Sequence, residues 1–235
     1  MTRVVVIPQD DGACGRYRLR WPAGILARET GWDIELHKPG SIQTAMRGDE
    51  LIGIKGLPDP KSIDLLVTQR VHSPGSLALI KWAHERGIAV VVDNDDAMWC
   101  LDRDNTAYAS WGQGQWKFTD RATELADVTT VTTKLLANRY GKHGRTEIIP
   151  NYVPAEAVKN RQRVRHLFDD TLTVGWAGSV GTHPHDLEVV GDAIKRFQLA
   201  TGAKVRVVGD ADGAAKVWGV SGDKVGFQPV GGPYY

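Results

Sequence analysis

The sequence predicts an α/β fold built on a parallel sheet. Short apolar runs recur along the chain, and amphipathic stretches that end at glycine separate them. The run at 88–92, Ile-Ala-Val-Val-Val, has no polar alternation, which is typical of a strand covered on both faces. Asp93, Asp95 and Asp96 follow it directly, and ligands of such sheets bind at the carboxyl ends of the strands. The strand–helix alternation over residues 1–154 therefore indicates a Rossmann-like domain.

The remaining elements follow from hydrophobic period and from glycine and proline positions. We expect strands at residues 4–7, 32–37, 63–68, 88–92, 128–131, 147–150, 172–179 and 204–208. We expect helices at residues 16–30, with Pro22 near the regular start, and at 74–86, 117–126, 133–140 and 186–201. The mixed stretch 41–57 is predicted to be an irregular crossover, and 105–114 a long loop.

Composition shifts after the first domain. Residues 155–170 are charged and rich in basic side chains, and we interpret them as an interdomain connection. Residues 171–235 begin with a fresh apolar strand and contain one clear βαβ unit, too little for a complete Rossmann domain. The sequence thus predicts an N-terminal Rossmann-like domain over 1–154 and a partial second Rossmann-like domain over 171–235.

Charge and cysteine content restrict the function classes. The 235 residues carry 29 basic and 28 acidic side chains, so nothing global favours electrostatic capture of nucleic acid or of a membrane surface. Cys14 and Cys100 match no metal-ligand spacing and no disulfide framework, which favours a reducing cytoplasm. No stretch reaches the ~18 apolar residues of a membrane helix, so no membrane span is expected.

The acidic group after the fourth strand has three interpretations. Asp93 and Asp95 would share a face if the strand continued, and such acids suit a divalent metal or general-base chemistry. The same residues are common helix N-caps, which is a purely structural role. An apolar strand followed by Asp-x-Asp also occurs in haloacid-dehalogenase-like phosphatases, which are Mg-dependent and would use Asp93 as nucleophile and Asp95 as acid/base. Those enzymes usually have Thr or Val where this chain has Asp96.

A glycine-bearing turn follows the first strand. Gly12 and Gly15 precede a helix, and backbone N–H groups in such turns can bind phosphate, although G-x-G-x-x-G is absent. Arg16 and Arg18 could hold an anionic ligand through bidentate contacts. The alternative, a solvated helix start, is favoured for Arg20.

A second small-residue loop lies in the C-terminal half. Gly178 and Ser179 end an apolar strand, and Thr182 and His183 precede the next helix, where Asp186 is a candidate cap. Such a loop is a plausible diphosphate cradle, in which the threonine and histidine donate to phosphate or ribose oxygens. A zinc site would need a third ligand that this segment does not provide.

Several motifs in order resemble one family. They are the Gly15/Tyr17-Arg18/Arg20/Pro22 segment, Gln69-Arg70, the stretch 92–99 (VDNDDAMW), Ile149-Pro150-Asn151-Tyr152-Val153, and the block 175–187 with Gly178, Ser179, His183 and Asp186. Together they resemble GT-B fold glycosyltransferases, in particular the "glycosyl transferases group 1" type found in bacteria and bacteriophages. The resemblance covers nearly the whole chain.

The resemblance implies two facing Rossmann-like domains that hold a nucleotide-sugar, without a bound metal and with no cofactor besides the nucleotide-diphosphate-sugar donor. It implies that Asp95 and Asp96 lie in the cleft, one of them as a base, and that Asp93 is mainly structural. Arg18 and Arg70 would then contact anionic parts of the donor or acceptor.

The same resemblance assigns the donor diphosphate to two glycine-bearing loops. Gly178, Ser179 and His183 would lie near it, and Gly12 and Gly15 would approach it from the other side. In the family the C-terminal domain continues further and carries a pair of glutamates for the donor. We therefore expect a C-terminally truncated copy, or a second chain that completes that domain.

The function expected from this resemblance is glycosyl transfer. A sugar would pass from a nucleotide-diphosphate-sugar to an acceptor that the sequence leaves open: a polysaccharide, a lipid, a virion protein or a modified DNA base. Two alternatives remain, the Mg-dependent phosphatase with Asp93 and Asp95, and a non-catalytic remnant that binds a nucleotide-sugar or a partner.

Overall fold

The computed structural model describes residues 1–155, 172–178, 181–183, 185–209 and 223–225. Their contacts divide the chain into two units. Unit 1 comprises Met1–Leu101 and Ser110–Pro154, and unit 2 comprises Asp102–Ala109 and Ala155–Tyr235. The predicted interdomain connection lies outside the described residues from position 156 onward.

Unit 1 is built on a six-stranded parallel sheet with the order β2-β1-β5-β6-β7-β8. The strands are β1 (Arg3–Ile7), β2 (Asp33–Leu36), β5 (Leu65–Gln69), β6 (Ala89–Asn94), β7 (Val128–Val131) and β8 (Arg145–Ile148). Val90 and Val92 of β6 are completely buried, as the uninterrupted apolar run predicts. The predicted α/β, Rossmann-like class is confirmed.

Helices cover both faces of this sheet. They are α1 (Ala13–Gly15), a π-helical turn (Arg16–Arg20), α2 (Trp21–Thr30), α3 (Pro74–His84), α5 (Trp116–Leu125) and α6 (Lys134–Tyr140), whereas α4 (Tyr108–Trp111) spans the boundary between the two units. One core joins the sheet to α3 and α5 and includes Ile80 and Ala122. The other joins it to the first helical segment through Leu19 and Ala23.

The stretch predicted to be an irregular crossover is an antiparallel hairpin of β3 (Gln43–Arg47) and β4 (Glu50–Lys55). The register shifts between Ala45 and Met46, and this bulge interrupts the alternation of polar and apolar side chains. The prediction was wrong because the irregularity removed the two-residue period by which a strand is recognised.

Unit 2 contains a parallel three-stranded sheet within its described part, with the order β11-β10-β9. Its strands are β9 (Thr173–Gly178), β10 (Lys204–Gly209) and β11 (Asp223–Val225), and its helices are α7 (Asp186–Val190) and α8 (Ala193–Thr201). One helix was predicted here, but Gly191, with φ 56°, divides the segment in two. Within the described ranges of the chain, no helix has the length and hydrophobicity that a bilayer-spanning segment requires.

Candidate functional site

Arg70 occupies an unusual backbone position at the carboxyl end of β5. Its φ of 46° lies in the left-handed region, which costs a residue with a Cβ about 1–2 kcal/mol. Its backbone N–H donates to the carbonyl of Asp93 on the neighbouring strand at 2.9 Å. Strain of this kind persists where surrounding contacts determine the conformation, which is frequent at functional sites.

The side chain of Arg70 lies among three carboxylates. Its guanidinium forms ion pairs with Asp10, with Asp95 at 3.3 Å and with Asp96 at 3.5 Å. The arginine side chain is 10% exposed and that of Asp95 only 3%, whereas that of Asp96 is 52% exposed. The loops after β1, β5 and β6 thus bring together an anionic group, here called the Arg70 cluster: Asp10, Cys14, Arg70, Asp95 and Asp96.

Burial raises the pKa of two groups in this cluster, Asp95 and Cys14. It raises the pKa of Asp95 above its usual value, with repulsion from Asp96 adding to the effect, while Arg70 acts in the opposite direction. The Cys14 thiol donates to Asp95, and burial raises the pKa of that thiol as well. A buried carboxylate with a raised pKa and a fixed cationic neighbour is suited to accept a proton.

His72 and Trp111 lie beside the cluster. Their rings are 4.3 Å apart, and the Arg70 guanidinium is 5.7 Å from the centre of the indole. Burial lowers the pKa of His72, which favours its neutral form. Neither His72 nor Cys14 was among the predicted site residues. The available signal for His72 was its position two residues after Arg70, beyond a strand end.

Asp93 and Arg18 form a second, deeper pair. The arginine Nη2 is 2.6 Å from Asp93 Oδ1, Nε donates to both carboxylate oxygens at 3.2 Å, and both side chains are 2% exposed. Thr130 donates to the same carboxylate at 2.6 Å. These contacts agree with a structural role for Asp93 and commit much of the Arg18 guanidinium. They do not favour Asp93 as a phosphatase nucleophile, because that oxygen must reach a substrate.

The turn after β1 presents a carboxylate. Asp10 Oδ1 accepts hydrogen bonds from the N–H groups of Gly12 at 2.8 Å and Gly15 at 3.2 Å. A Cβ on Gly15 would lie 1.9 Å from the Asp10 carbonyl oxygen, so only glycine permits this approach. Arg16 lies in the π-helical turn and is half-buried. Roles of Gly12, Gly15 and Arg16 in ligand binding stay predictions.

The predicted donor residues of unit 2 surround the carboxyl end of β9. Gly178 ends the strand, Thr182 is half-buried and His183 is exposed, whereas Ser179 lies outside the described residues. His183 is 3.8 Å from Asp186.

His185 lies just beyond that loop and bridges two acids. Its Nε2 is 3.0 Å from Asp102 and its Nδ1 is 3.0 Å from Glu188. The hydrogen bond with Glu188 and the charge of Asp102 raise the pKa of His185. This imidazole therefore holds its proton to a higher pH than an isolated histidine.

Two groups of side chains have ligand atoms close enough to share a cation. Cys14, Asp95 and Asp96 form one, and Asp102, Asp104 and His185 form the other, each within 4.8 Å in the part of the chain that the structure describes. The first already has Arg70 as its cation, and the second is exposed. The prediction that no metal is bound stays a prediction.

The described parts of the chain have an α/β, Rossmann-like fold of the kind found in GT-B glycosyltransferases. No protein-family model and no curated protein matches the chain.

Particular solved structures share the fold. Sucrose-phosphate synthase from Thermosynechococcus elongatus superposes with a TM-score of 0.59 at 13% identity, over 97% of this chain and 71% of that one. UGT2 from Phytolacca americana, solved with UDP-2-fluoro-glucose and pterostilbene, has a TM-score of 0.54 at 13% identity, over 97% and 72%. At such identities the similarity shows the fold.

Proposed function

We propose that this protein is a glycosyltransferase that moves a sugar from a nucleotide-diphosphate-sugar to an acceptor hydroxyl. The observation that carries the proposal is the Arg70 cluster, built at the carboxyl edge of a parallel sheet in a GT-B-like fold. The solved structure of UGT2 supports the donor class, because that protein was crystallised with a UDP-sugar analogue.

In this proposal Asp95 is the base. The acceptor oxygen forms a bond to the anomeric carbon, the bond from that carbon to the diphosphate oxygen breaks, and the acceptor proton passes to the Asp95 carboxylate. Arg70 opposes the effect of burial and favours the ionised form of this carboxylate, and the exposed Asp96 orients the sugar or acceptor. The proposed catalytic pair is thus Asp95 and Asp96, the residues that the sequence resemblance suggests.

The charge of the Arg70 cluster favours placing the donor phosphates in unit 2. Three carboxylates against one guanidinium repel a diphosphate, so we assign it to the loop with Gly178, Ser179, Thr182 and His183. Gly12 and Gly15 then shape the Arg70 cluster through Asp10.

The excess of carboxylates in the Arg70 cluster also affects which acceptors we expect the protein to bind. An anionic cluster favours an uncharged polyhydroxyl acceptor, such as a polysaccharide, over phosphate-rich DNA, while a lipid or a virion protein fits if it offers a neutral hydroxyl. A cytoplasmic location and a bacterial or bacteriophage source belong to the proposal through the sequence resemblance.

The test combines donor binding with turnover. A panel of UDP-, GDP- and dTDP-sugars is screened for a rise in melting temperature in EDTA, and the binding donor is followed for sugar release to water and to oligosaccharides. Asp95→Asn should lower turnover about 100-fold or more and leave the donor Kd within about threefold. Glu85→Gln, on an exposed acid after α3, is the matched control and should behave as wild type.

Other results would contradict the proposal. If no nucleotide-sugar stabilises the protein, or if Asp95→Asn retains full turnover, the assignment fails. Mg-dependent phosphatase activity that Asp93→Asn abolishes would establish the phosphatase instead. Donor binding without release or transfer would identify a non-catalytic binding protein.

A further inference from the structure

A short segment that departs from unit 1 lies against the candidate donor loop. Asp102–Ala109 groups with unit 2, although the residues on either side of it, 101 and 110, belong to unit 1. Within unit 2, this segment contacts Gly181 and Thr182, which follow β9.

Two hydrogen bonds join the segment to the loop backbone. The Asn105 amide Nδ2 donates to the carbonyl of Thr182 at 2.6 Å, and the backbone N–H of Thr106 donates to the carbonyl of Gly181 at 2.8 Å. A Cβ on Gly181 would lie 3.0 Å from Thr106 Cγ2, so a side chain at residue 181 would press on the Thr106 side chain.

These bonds fix the direction of the loop's N–H groups. In a planar trans peptide the C=O and N–H of one unit point in opposite directions. Anchoring the carbonyls of Gly181 and Thr182 on the segment therefore turns the N–H groups of Thr182 and His183 away from it. Successive backbone N–H groups with a common orientation are a recurrent phosphate ligand.

We propose that Asn105 is a positioning residue for the donor diphosphate, acting through the backbone of Thr182. This inference rests on the proposed function, because it takes the loop after β9 as the diphosphate site. Asn105 acts without touching the donor, by keeping the loop in one backbone conformation before binding. Such preorganisation improves affinity, because less conformational freedom is lost on binding.

The local structure offers a precise substitution. Asn105 Oδ1 accepts a hydrogen bond from the N–H of Ala107 at 2.8 Å, which closes the turn of the segment. Asn105→Asp retains that acceptor, replaces the donor to the Thr182 carbonyl with a carboxylate oxygen and adds one negative charge. Asn138→Asp, on the exposed face of α6, makes the same chemical change elsewhere and is the control.

Hydrogen exchange without ligand and donor titration test the inference together. Asn105→Asp should raise the exchange rate of the Thr106 amide, which donates to the Gly181 carbonyl, about tenfold and weaken the Kd of the UDP- or GDP-sugar about tenfold. The donor KM should rise with little change in kcat, since the chemical step is elsewhere. Asn138→Asp should change none of these.

A second pair of variants tests the close approach. Gly181→Ala should weaken donor binding because its methyl group meets Thr106 Cγ2. Thr106→Ser removes that methyl group, so the double variant should recover most of the lost affinity.

The failures are distinguishable. If wild-type protein binds no nucleotide-sugar, the proposed function is wrong, and this role of Asn105 with it. If wild type binds but Asn105→Asp keeps wild-type exchange or wild-type donor Kd, the proposed function stands and the inference is overturned. Loss of affinity in Gly181→Ala that Thr106→Ser does not restore also counts against it.

Discussion

The two sheets use their carboxyl edges differently. In unit 1, side chains form the candidate site, because Arg70 and Asp95 are buried at this edge and form an ion pair. In unit 2, the corresponding edge offers backbone and exposed imidazoles such as His183. The difference teaches that the same position in an α/β fold can hold a cluster of buried, charged side chains or a loop whose backbone groups face the site. Substitutions should therefore affect stability in unit 1 and mainly ligand binding in unit 2.

The largest effect is expected at the buried pair of unit 1. Arg18→Met leaves the Asp93 carboxylate buried without its cation, which should lower the free energy of unfolding by about 3–5 kcal/mol at pH 8. Burial already raises the pKa of Asp93, so the variant should recover stability as the pH falls and the acid is protonated. Denaturant titrations at pH 5 and pH 8 measure this.

The double variant Arg18→Met/Asp93→Asn is the control for that prediction. With the Asp93 carboxylate removed as well, its stability should vary less with pH than that of Arg18→Met. Equal losses at pH 5 and pH 8 in the single variant would show that packing, not charge, holds this part of unit 1.

The next effect concerns two glycines near the same helix. Gly15→Ala places a methyl group 1.9 Å from the Asp10 carbonyl and should cost about 3 kcal/mol. Gly24 lies in the middle of α2 and is exposed. The methyl group of Gly24→Ala would approach only Arg28 Nη1, at 3.9 Å, so this variant should stabilise the protein by up to about 1 kcal/mol. Thermal unfolding of both variants tests the difference. Equal behaviour would mean that the turn holding Asp10 is not rigid.

A smaller effect is expected in the pH dependence of unit 1. Because burial raises the pKa of Asp95 in the folded chain, the folded state binds that proton more tightly than the unfolded state. Stability should therefore fall as the pH rises from about 3.8 through the folded pKa. Asp95→Asn should flatten this part of the curve, whereas Asp96→Asn, on the exposed side chain, should retain it.

The smallest effect is expected in unit 2. His185→Gln removes exposed ion pairs with Asp102 and Glu188 and should leave the denaturation midpoint unchanged. An NMR titration should show the pKa of His185 above 6.5, and Glu188→Gln should lower it, since that hydrogen bond is the main cause of the shift. A large loss of stability in His185→Gln would break the contrast between the two edges.

Sequence patterns predicted those features that depend on local order. The β-branched run before Asp93 located the central strand, and the acids after it include Asp95 and Asp96 of the Arg70 cluster, whereas Asp10 and Cys14 were not predicted to join them. The ion pair between Arg18 and Asp93 could not be predicted, because it joins residues 75 positions apart and depends on how the π-helical turn packs on the sheet. The hydrogen bond from Gly15 to Asp10 depends on a close backbone approach that no periodic pattern in the sequence indicates.

The hairpin and the Asp102–Ala109 segment escaped prediction for related reasons. A bulge interrupts the alternation of side chains by which β4 would be recognised as a strand. The Asp102–Ala109 segment has no periodic apolar pattern. Its position is set by two hydrogen bonds to a loop more than 70 residues later in the sequence, of which a single sequence carries no local sign.

The rate at which the Cys14 thiol is chemically labelled can report on the opening of the Arg70 cluster. Burial and its bond to Asp95 raise the pKa of this thiol, so it should react slowly with iodoacetamide, which attacks the thiolate. Cys100 is exposed and can be replaced by serine. In that variant the labelling rate reports how often the cluster opens, and a ligand that seats on Asp95 and Asp96 should slow it. Ligand binding to the protein could then be followed through its own cysteine.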